Sequence, residues 1–360
     1  MSIKSQKKKV GQNEDVRLGI LREVFDYDQG NNWVQLGVEG MDDAALIRYS
    51  DGQSLVMASD FVRGSGFDMF QSGHMDHFDV GYYLMAANIS DIAAMGAKPI
   101  CATTNLRYVQ SMTNAQFQDT VRGIRNAADT YDVRIVGGDI GGYEANVFTA
   151  TVLGIVETDR AIMRRGAKLG DLLCVTGCIG GAVSATAHFH KAEPAGLKLD
   201  KAANERLLDC WRKPTPQVQA GLLLSDHGLA TSCMDVSDGL SSSVDTLSRA
   251  SNVCFEVFAE ALPLHPESSL IAEHLGLDLH HLVMSASVDF QLLFTIPPSA
   301  ESLVAKLFDK YSIPWSVIGR ASSTKENQFF VGGNPPSAMP GIRWNQQPNL
   351  FEEIYGEPAD

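Results

Sequence analysis

The sequence predicts an α/β protein of two domains, because of its length, its alternating pattern and one polar segment. With 360 residues the chain is longer than one ordinary hydrophobic core requires. Short β-like runs alternate with helical ones along most of it. Residues 159–171 are polar and rich in turn formers, and we place the domain boundary there. The predicted parts are a disordered arm at 1–14, an N-terminal αβ domain at 15–160 and a C-terminal αβ domain at 161–360.

The individual elements are predicted from the spacing of apolar residues. Strands are predicted at residues 54–59, 133–136, 148–156, 292–296 and 315–318. A helix is predicted at residues 78–97, because apolar positions recur every three or four residues there. Gly96 and then Pro99 supply its stop signal. The last 30 residues are rich in Asn, Gln, Pro and Gly and are predicted to be mostly irregular.

Charge and cysteine content limit the environment and the partners. Lys and Arg number 29 against 43 Asp and Glu, so the formal net charge is −14. Such an acidic chain is expected to avoid nucleic acid and anionic membranes, and its basic run at residues 7–9 is typical of a solvated tail. No apolar run approaches the roughly 18 residues of a membrane span. Six scattered cysteines indicate reduced thiols, so we expect a cytoplasmic protein.

Acidic residues recur where apolar runs end or beside glycine. They are Asp42, Asp43, Asp60, Asp91, Asp139, Asp235 and Asp238. Each one alone is more typical of a turn or a helix cap than of a ligand. Brought together, however, these carboxylates could not all stay ionised without cations. The pattern therefore raises the possibility of a metal centre built from oxygen ligands.

The chemistry of such a centre points to a nucleotide. Oxygen ligands suit Mg²⁺ or Mn²⁺, and Mg²⁺ usually bridges carboxylates to substrate phosphates. Glycines 137, 138 and 239 would let the backbone approach phosphate oxygens, and Arg164 and Arg165 are candidate phosphate cations. The chain has neither a GxxxxGK[ST] loop nor a protein-kinase catalytic loop, so the two common phosphoryl-transfer templates are excluded.

Six segments carry a family resemblance. They are residues 42–45 (DDAA), 59–60 (SD), 87–99 (ANISDIAAMGAKP), 136–139 (VGGD), 165–171 (RGAKLGD) and 235–240 (DVSDGL). In this order they resemble the thiamine-monophosphate kinases, within the wider family of aminoimidazole-ribonucleotide synthetase-like ATP enzymes. The segments at 87–99 and 235–240 are the specific ones, and the others support them.

The resemblance implies an architecture and a set of site residues. It implies two αβ domains of the aminoimidazole-ribonucleotide synthetase-like type, with the N-terminal sheet pairing across a homodimer and with ATP and several Mg²⁺ between the domains. The implied metal ligands are Asp43, Ser59, Asp60, Asp91, Asp139, Asp235 and Asp238, and the implied ATP contacts are Gly138, Arg164 and Ser237. Whether Asp42 also binds metal stays open.

The resemblance also implies the reaction, in which ATP and thiamine phosphate give ADP and thiamine diphosphate. An acceptor phosphate is already a nucleophile at pH 7, so no residue is expected to act as a catalytic acid or base. Catalysis then consists of charge neutralisation and in-line positioning, which Asp43, Asp91 and Asp238 are expected to provide.

The acceptor half departs from the family pattern. The family has a substrate-contacting histidine where this chain has Gly66, and a substrate-contacting glutamate where it has Val288, followed by Asp289. An aromatic motif near the family's C-terminus has no clear counterpart. Arg63 is an additional cation beside the expected acceptor site. The nucleotide half of the pattern is therefore kept and the acceptor half is not.

Three hypotheses follow for the function. The first is thiamine-phosphate phosphotransfer with a remodelled acceptor pocket. The second is the same ATP and Mg²⁺ chemistry on another small acceptor, such as a phosphate, a carboxylate or an amide. The third is a nucleotide-binding regulatory or assembly protein without turnover, which the intact set of acids argues against.

Overall fold

Two six-stranded sheets, one from each half of the chain, organise the computed structural model, which describes residues 11–25, 33–62 and 67–342. Each sheet is open and is combined with helices, so both halves have mixed α/β content as predicted. The basic run at residues 7–9 lies outside the described residues. A helix begins at Gly11, so residues 11–14 of the predicted disordered arm are helical.

The described residues of the first half form four α-helices and one sheet. Its helices are α1 (Gly11–Val24), α2 (Asp68–Gln71), α3 (His77–Ala94) and α4 (Asn114–Thr130). Its strands are β1 (Val34–Leu36), β2 (Ala45–Ser50), β3 (Gln53–Val62), β4 (Lys98–Tyr108), β5 (Arg134–Gly142) and β6 (Val147–Glu157). The strand order is β1-β2-β3-β6-β4-β5, and only the pair β4 and β5 is parallel.

The second half has more helices and a sheet of the same size. Its helices are α5 (Gly181–Ala187), α6 (Lys201–Arg212), α7 (Val218–Asp226), α8 (Leu240–Ser251), α9 (Ser268–Leu275), α10 (Leu279–Met284) and α11 (Glu301–Lys310). Its strands are β7 (Leu172–Thr176), β8 (Ser232–Asp235), β9 (Cys254–Phe258), β10 (Leu292–Ile296), β11 (Trp315–Ser322) and β12 (Gln328–Phe330). The order is β12-β9-β11-β7-β10-β8, with β12 parallel to β9.

The predicted elements are confirmed, with shifts at their ends. Strand β10 matches its predicted bounds. The other four predicted strands correspond to β3, β5, β6 and β11, each of which ends beyond the predicted segment, and β5 begins one residue after its predicted start. Helix α3 begins one residue before the predicted helix and ends at Ala94, because a turn at Met95 and Gly96 closes it. The helix therefore ends before the last residues of the apolar pattern, at Ala94 and not at residue 97.

Helix α3 is the central element of the molecule. It begins with a capping box, in which Asp76 and Asp79 each accept a hydrogen bond from the other's backbone N–H, at 2.9 and 3.0 Å. Nearly all of its residues are buried, because the first sheet, α4, α6 and α7 pack around it. A Cβ at Gly81 of α3, or at Gly123 of α4, would clash with a carbonyl oxygen of the other helix. These glycines let the two helices approach closely.

The two sheets differ in how they are covered. Leu293 and Phe294 of β10 belong to different apolar clusters, one with Val244 of α8 and the other with Phe308 of α11, so helices cover both faces of the second sheet. Helices α3 and α4 cover one face of the first sheet. On its other face Met57 and Phe61 of β3 stay 39% and 52% exposed, and no other described element covers them.

A search of the described helices for membrane spans found none that is long and apolar enough.

Candidate functional site

Three carboxylates from distant parts of the chain meet where the two halves pack together. Asp43 precedes β2, Asp91 lies in the last turn of α3, and Asp235 ends β8. One oxygen of each lies within 4.8 Å of the others, which is close enough for one metal ion to bind all three. The structure thus brings together three of the residues predicted as metal ligands.

Asp235 is held by hydroxyl groups. Ser90, the neighbour of Asp91, donates to one carboxylate oxygen at 2.6 Å, and Ser237 donates to the other at 3.1 Å. Each oxygen keeps a free acceptor direction. Ser237 was predicted to contact ATP, and here its hydroxyl orients a carboxylate of the cluster.

Arg164 binds the two acids in the loop before β2. Its guanidinium donates to Oδ1 of Asp43 from two nitrogens, at 3.1 and 2.5 Å, and to the carbonyl oxygen of Met41 at 3.0 Å. Its backbone N–H lies 3.1 Å from both oxygens of Asp42. The other oxygen of Asp43, Oδ2, is buried and has no hydrogen-bond partner among the described residues. A buried, unpartnered carboxylate oxygen is costly, and a bound cation would satisfy it.

Electrostatics favour a cation at this position. Burial, and then the charges of Asp235 and Asp43, raise the pKa of Asp91 well above its usual range. Burial and Asp43 raise the pKa of Asp235 to about 7, and burial with Asp43 raises that of Asp42 to about 6. Carboxyls that resist ionisation for these reasons would ionise readily beside a divalent ion. The donors are all oxygen, so the residues fit Mg²⁺ better than zinc.

Asp60 and Asp238 are two further predicted ligands outside this group of three. The charge of Asp60 raises the pKa of Asp91, and both acids raise the pKa of Tyr83. The backbone N–H of Asp60 donates to Asn88 of α3 at 2.8 Å, which fixes the end of β3 against the helix that carries Asp91. Asp60 therefore acts electrostatically on the group of three without joining it, and Asp238 acts on the neighbouring Tyr83.

Ser59 and Asp139 have other partners within this chain. Ser59 donates to the carbonyl oxygen of Ala150 at 3.1 Å. Asp139 of β5 is exposed and forms an ion pair with Arg107 at 2.6 Å. Strands β6 and β4 lie between β3 and β5, so about 14 Å of sheet separates Asp139 from Asp60. One chain therefore does not bring Asp139 to the cluster.

Gly138 has a structural reason to be glycine. Its φ is +149°, and a Cβ there would clash with the backbone of Thr104 on β4. The pairing of β4 with β5 shifts register just before this residue. The glycine is thus required by the strand pairing, whether or not a phosphate approaches it.

Of the four predicted acceptor residues, Val288 and Asp289 lie within the described part of the chain. Val288 is only 8% exposed and belongs to the apolar core. The Asp289 carboxylate accepts hydrogen bonds from the backbone N–H groups of Gly180 and Gly181 at 2.9 and 3.0 Å, and so caps the start of α5. Arg63 and Gly66 lie outside the described residues.

An aromatic cluster beside the acids was missed by the sequence analysis. Tyr83 lies at its centre, with ring centroids 5.0 Å from Phe67, 5.5 Å from Phe290 and 6.1 Å from Trp211. The Trp211 indole donates to the carbonyl oxygen of Ala182 at 2.9 Å. These four rings are widely spaced in the sequence, and no local pattern links them. Tyr83 connects them to the acids, because the charges of Asp60, Asp235 and Asp238 add to burial in raising its pKa.

Family models match both halves of the chain. The model described as AIR synthase related protein, N-terminal domain, matches residues 41–156, and the one described as AIR synthase related protein, C-terminal domain, matches residues 168–332. These matches agree with the two-domain architecture predicted from the sequence.

Individual relatives and solved structures agree with the models. Thiamine-monophosphate kinase of Pyrococcus horikoshii is 30% identical over 84% of this chain and 89% of its own. The crystal structure of thiamine-monophosphate kinase from Stenotrophomonas maltophilia K279a is 26% identical, with a TM-score of 0.69 over 91% of this chain and 97% of its own. AaThiL complexed with AMPPCP and TMP is 22% identical, with a TM-score of 0.73 over 91% and 95%, and shares the fold. The family predicted from the motifs is confirmed.

Proposed function

The chain belongs to the thiamine-monophosphate kinase family, whose members are phosphotransferases, and we propose that it transfers the γ-phosphoryl group of ATP to thiamine monophosphate. The products are ADP and thiamine diphosphate. The observation that carries the proposal is the group of three carboxylates, Asp43, Asp91 and Asp235, with one unpartnered oxygen among them.

These carboxylates would hold Mg²⁺. Asp43, Asp91 and Asp235 would bind it directly, Asp60 and Asp238 would add negative charge nearby, and Ser59 is the remaining proposed ligand of the same chain. When bound, Mg²⁺ neutralises the phosphate charge that develops during transfer. Asp43, Asp91 and Asp238 keep the donor and acceptor phosphates in line by fixing where that positive charge lies. The acceptor oxygen is already ionised, so no residue has to remove a proton.

The nucleotide contacts are proposed from the same region. Arg164 can donate two parallel hydrogen bonds to a phosphate, and the Ser237 hydroxyl lies beside Asp235. Gly138 leaves the backbone of β5 accessible. AMPPCP, which is bound in the structure of AaThiL, is an analogue of ATP, and this supports ATP as the phosphate donor.

A homodimer would give Asp139 a role at the site. Within one chain this carboxylate is too far from Asp60, but strand β5 is a sheet edge that stays exposed along nearly its whole length, including Val136 at 65% and Ile140 at 63%. Exposed edges and apolar sheet faces favour pairing with another copy. We propose that the first sheets of two chains pack together, and that each brings its Asp139 and Gly138 toward the site of the other.

A second acceptor remains a candidate for a specific reason. The buried Val288 cannot pair with a cationic substrate as a glutamate does, and Asp289 already uses its oxygens to cap α5. The same phosphoryl transfer to another small phosphate-bearing acceptor is the alternative that these contacts favour.

Product analysis tests the two possibilities. The pure protein is incubated with ATP, Mg²⁺ and thiamine monophosphate, and nucleotides and thiamine phosphates are separated by anion-exchange chromatography. We expect one ADP and one thiamine diphosphate per ATP consumed, and neither product when EDTA replaces Mg²⁺. If ATP is consumed only with other phosphate monoesters, the alternative acceptor is correct. If no acceptor leads to ADP formation, the proposed activity is wrong.

A further inference from the structure

Arg164 occupies an unusual position for a residue expected to bind a nucleotide. It lies in the polar segment that links the two halves, and its side chain is only 22% exposed. All of its guanidinium nitrogens donate to the loop before β2, to Asp43 and to the carbonyl oxygen of Met41. These contacts use three of its five N–H groups, including the Nε and Nη2 pair, so a phosphate that binds this pair has to displace Asp43.

The same guanidinium acts on the whole acid cluster. We use this name for Asp42, Asp43, Asp91 and Asp235. The charge of Arg164 lowers the pKa of each of these four carboxyls and thus offsets part of the effect of burial and mutual repulsion. In the chain without ligands, Arg164 therefore supplies the positive charge that a metal ion would otherwise supply.

We propose that Arg164 is the resident counter-ion of the acid cluster and opposes divalent-cation binding until a nucleotide polyphosphate draws its guanidinium away. This inference rests on the proposed function, because it requires ATP to bind at this site. It adds that metal and nucleotide bind cooperatively, and that one side chain couples them.

The reason for the coupling is electrostatic. A guanidinium and a divalent ion that share Asp43 repel each other, since like charges a few ångströms apart interact strongly in a partly buried site. A triphosphate offers Arg164 several anionic oxygens in a geometry suited to its planar fork. When Arg164 turns to them, Asp43 loses its partner and its affinity for a cation rises. By reciprocity, a bound cation must raise the affinity for the nucleotide by the same factor.

A different role for Arg164 predicts the opposite result. If the side chain only holds Asp43 in the orientation that binds metal, its removal will weaken metal binding in the absence of nucleotide. If it is the resident counter-ion, its removal will strengthen that binding. The sign of the change therefore decides between the two roles.

Mn²⁺ titration of the nucleotide-free protein, followed by electron paramagnetic resonance of the free ion, measures this sign. We expect Arg164→Met to bind Mn²⁺ about tenfold more tightly than the wild type. A non-hydrolysable ATP analogue should tighten Mn²⁺ binding in the wild type by a similar factor and add much less in the variant. Arg165→Met is the matched control, because it removes the same charge from the next residue, whose side chain is exposed and has no carboxylate partner among the described residues.

Each outcome bears on the inference. The Arg164→Met variant can fail to fold, because it leaves the buried charge of Asp43 without a partner. In that case Arg164→Gln, which keeps an amide donor, replaces it, and tighter Mn²⁺ binding is again expected. Mn²⁺ binding by the variant that is equal to or weaker than that of the wild type overturns the inference. So does an equal gain in Arg165→Met. If the wild type forms thiamine diphosphate while the coupling is absent, the inference fails and the proposed function stands. If the coupling is present without product, the acceptor is wrong and the inference stands.

Discussion

The acid cluster and the segment at residues 286–292 are neighbours that handle charge in opposite ways. They meet where Leu292 of β10 pairs in register with Asp235 of β8. On the β8 side, Asp43 keeps a buried oxygen without a partner and Arg164 offers the compensating charge. On the β10 side, the Asp289 carboxylate is satisfied by backbone N–H groups, and Val288 is packed in an apolar core.

This difference separates a site prepared for ligands from a site completed by the protein itself. A cation stabilises carboxylates that lack hydrogen-bond partners, so the charge and the contacts of the cluster can change when Mg²⁺ and a nucleotide bind. The capped helix and the buried valine already have their partners within the protein, so a ligand does not stabilise them further. Phosphoryl transfer constrains the first region through the charges of the phosphates, whatever the acceptor is. The second region depends only on the shape and charge of the acceptor, and it is the region in which the sequence resemblance predicts departures from the family.

The largest expected effect comes from removing one charge at the centre of the cluster. Asp91→Asn should lower kcat by about 100-fold at saturating Mg²⁺ and ATP, because the transition state loses part of the positive charge that the carboxylate holds in place. Steady-state kinetics of ADP release measure this loss. Asp129→Asn, which removes an exposed acid paired with Arg125 on α4, should leave kcat unchanged. Wild-type turnover in Asp91→Asn would mean that the carboxylates do not hold the metal.

Many of the elements and site residues in this comparison could be predicted from local sequence signals. The periodicity of α3 and the short apolar runs of β3, β6 and β10 depend on neighbouring residues, and so they predict the elements well. Asp43, Asp91 and Asp235 stood out because each combines a carboxylate with an apolar run or a specific motif. Their grouping in the structure agrees with that prediction.

The remainder depends on contacts between distant residues. The strand order places β6 and β4 between β3 and β5, and nothing near Asp139 in the sequence indicates this separation. Tyr83, Trp211 and Phe290 come together only through the packing of α3, α6 and the loop before β10. Arg164 was predicted as a phosphate cation, but its binding to Asp42 and Asp43 depends on the docking of the two halves.

A carboxylate placed at position 288 tests how far the acceptor half has been rebuilt. Val288→Glu should lower the free energy of unfolding by about 1–3 kcal/mol, because a buried carboxyl without a hydrogen-bond partner replaces an apolar contact. Urea titration measures the change. Val121→Glu makes the same substitution at a position on α4 that is 40% exposed, and it should stay within about 0.5 kcal/mol of the wild type. Unchanged stability in Val288→Glu, together with faster turnover of thiamine monophosphate, would contradict this view and indicate an open, family-like pocket.

The smallest expected effect is a pH dependence of stability that the cluster imposes only without metal. The pKa of Asp235 is raised to about 7 and that of Asp42 to about 6, so the folded chain binds more protons than the unfolded chain between about pH 4 and 7. In EDTA the melting temperature should therefore fall as the pH rises through this window, by at least about 2–4 °C. Saturating Mg²⁺ should reduce the fall, since a cation stabilises the ionised carboxylates.

Asp79 complicates this measurement, because burial raises its pKa to about 6 as well. Its carboxylate caps α3 at the end of the helix opposite to Asp91, so its contribution should persist when Mg²⁺ is added. Asp235→Asn removes the carboxyl of the cluster whose pKa is raised to about 7, and it leaves Asp79 in place. Calorimetry of this variant in EDTA should show a shallower slope than the wild type, with little further change on adding Mg²⁺. A wild-type slope that Mg²⁺ does not alter would assign the pH dependence to acids outside the cluster, such as Asp79 and Asp289. In that case the carboxylates of the acid cluster would need a cation no more than Asp289 does, which already caps α5.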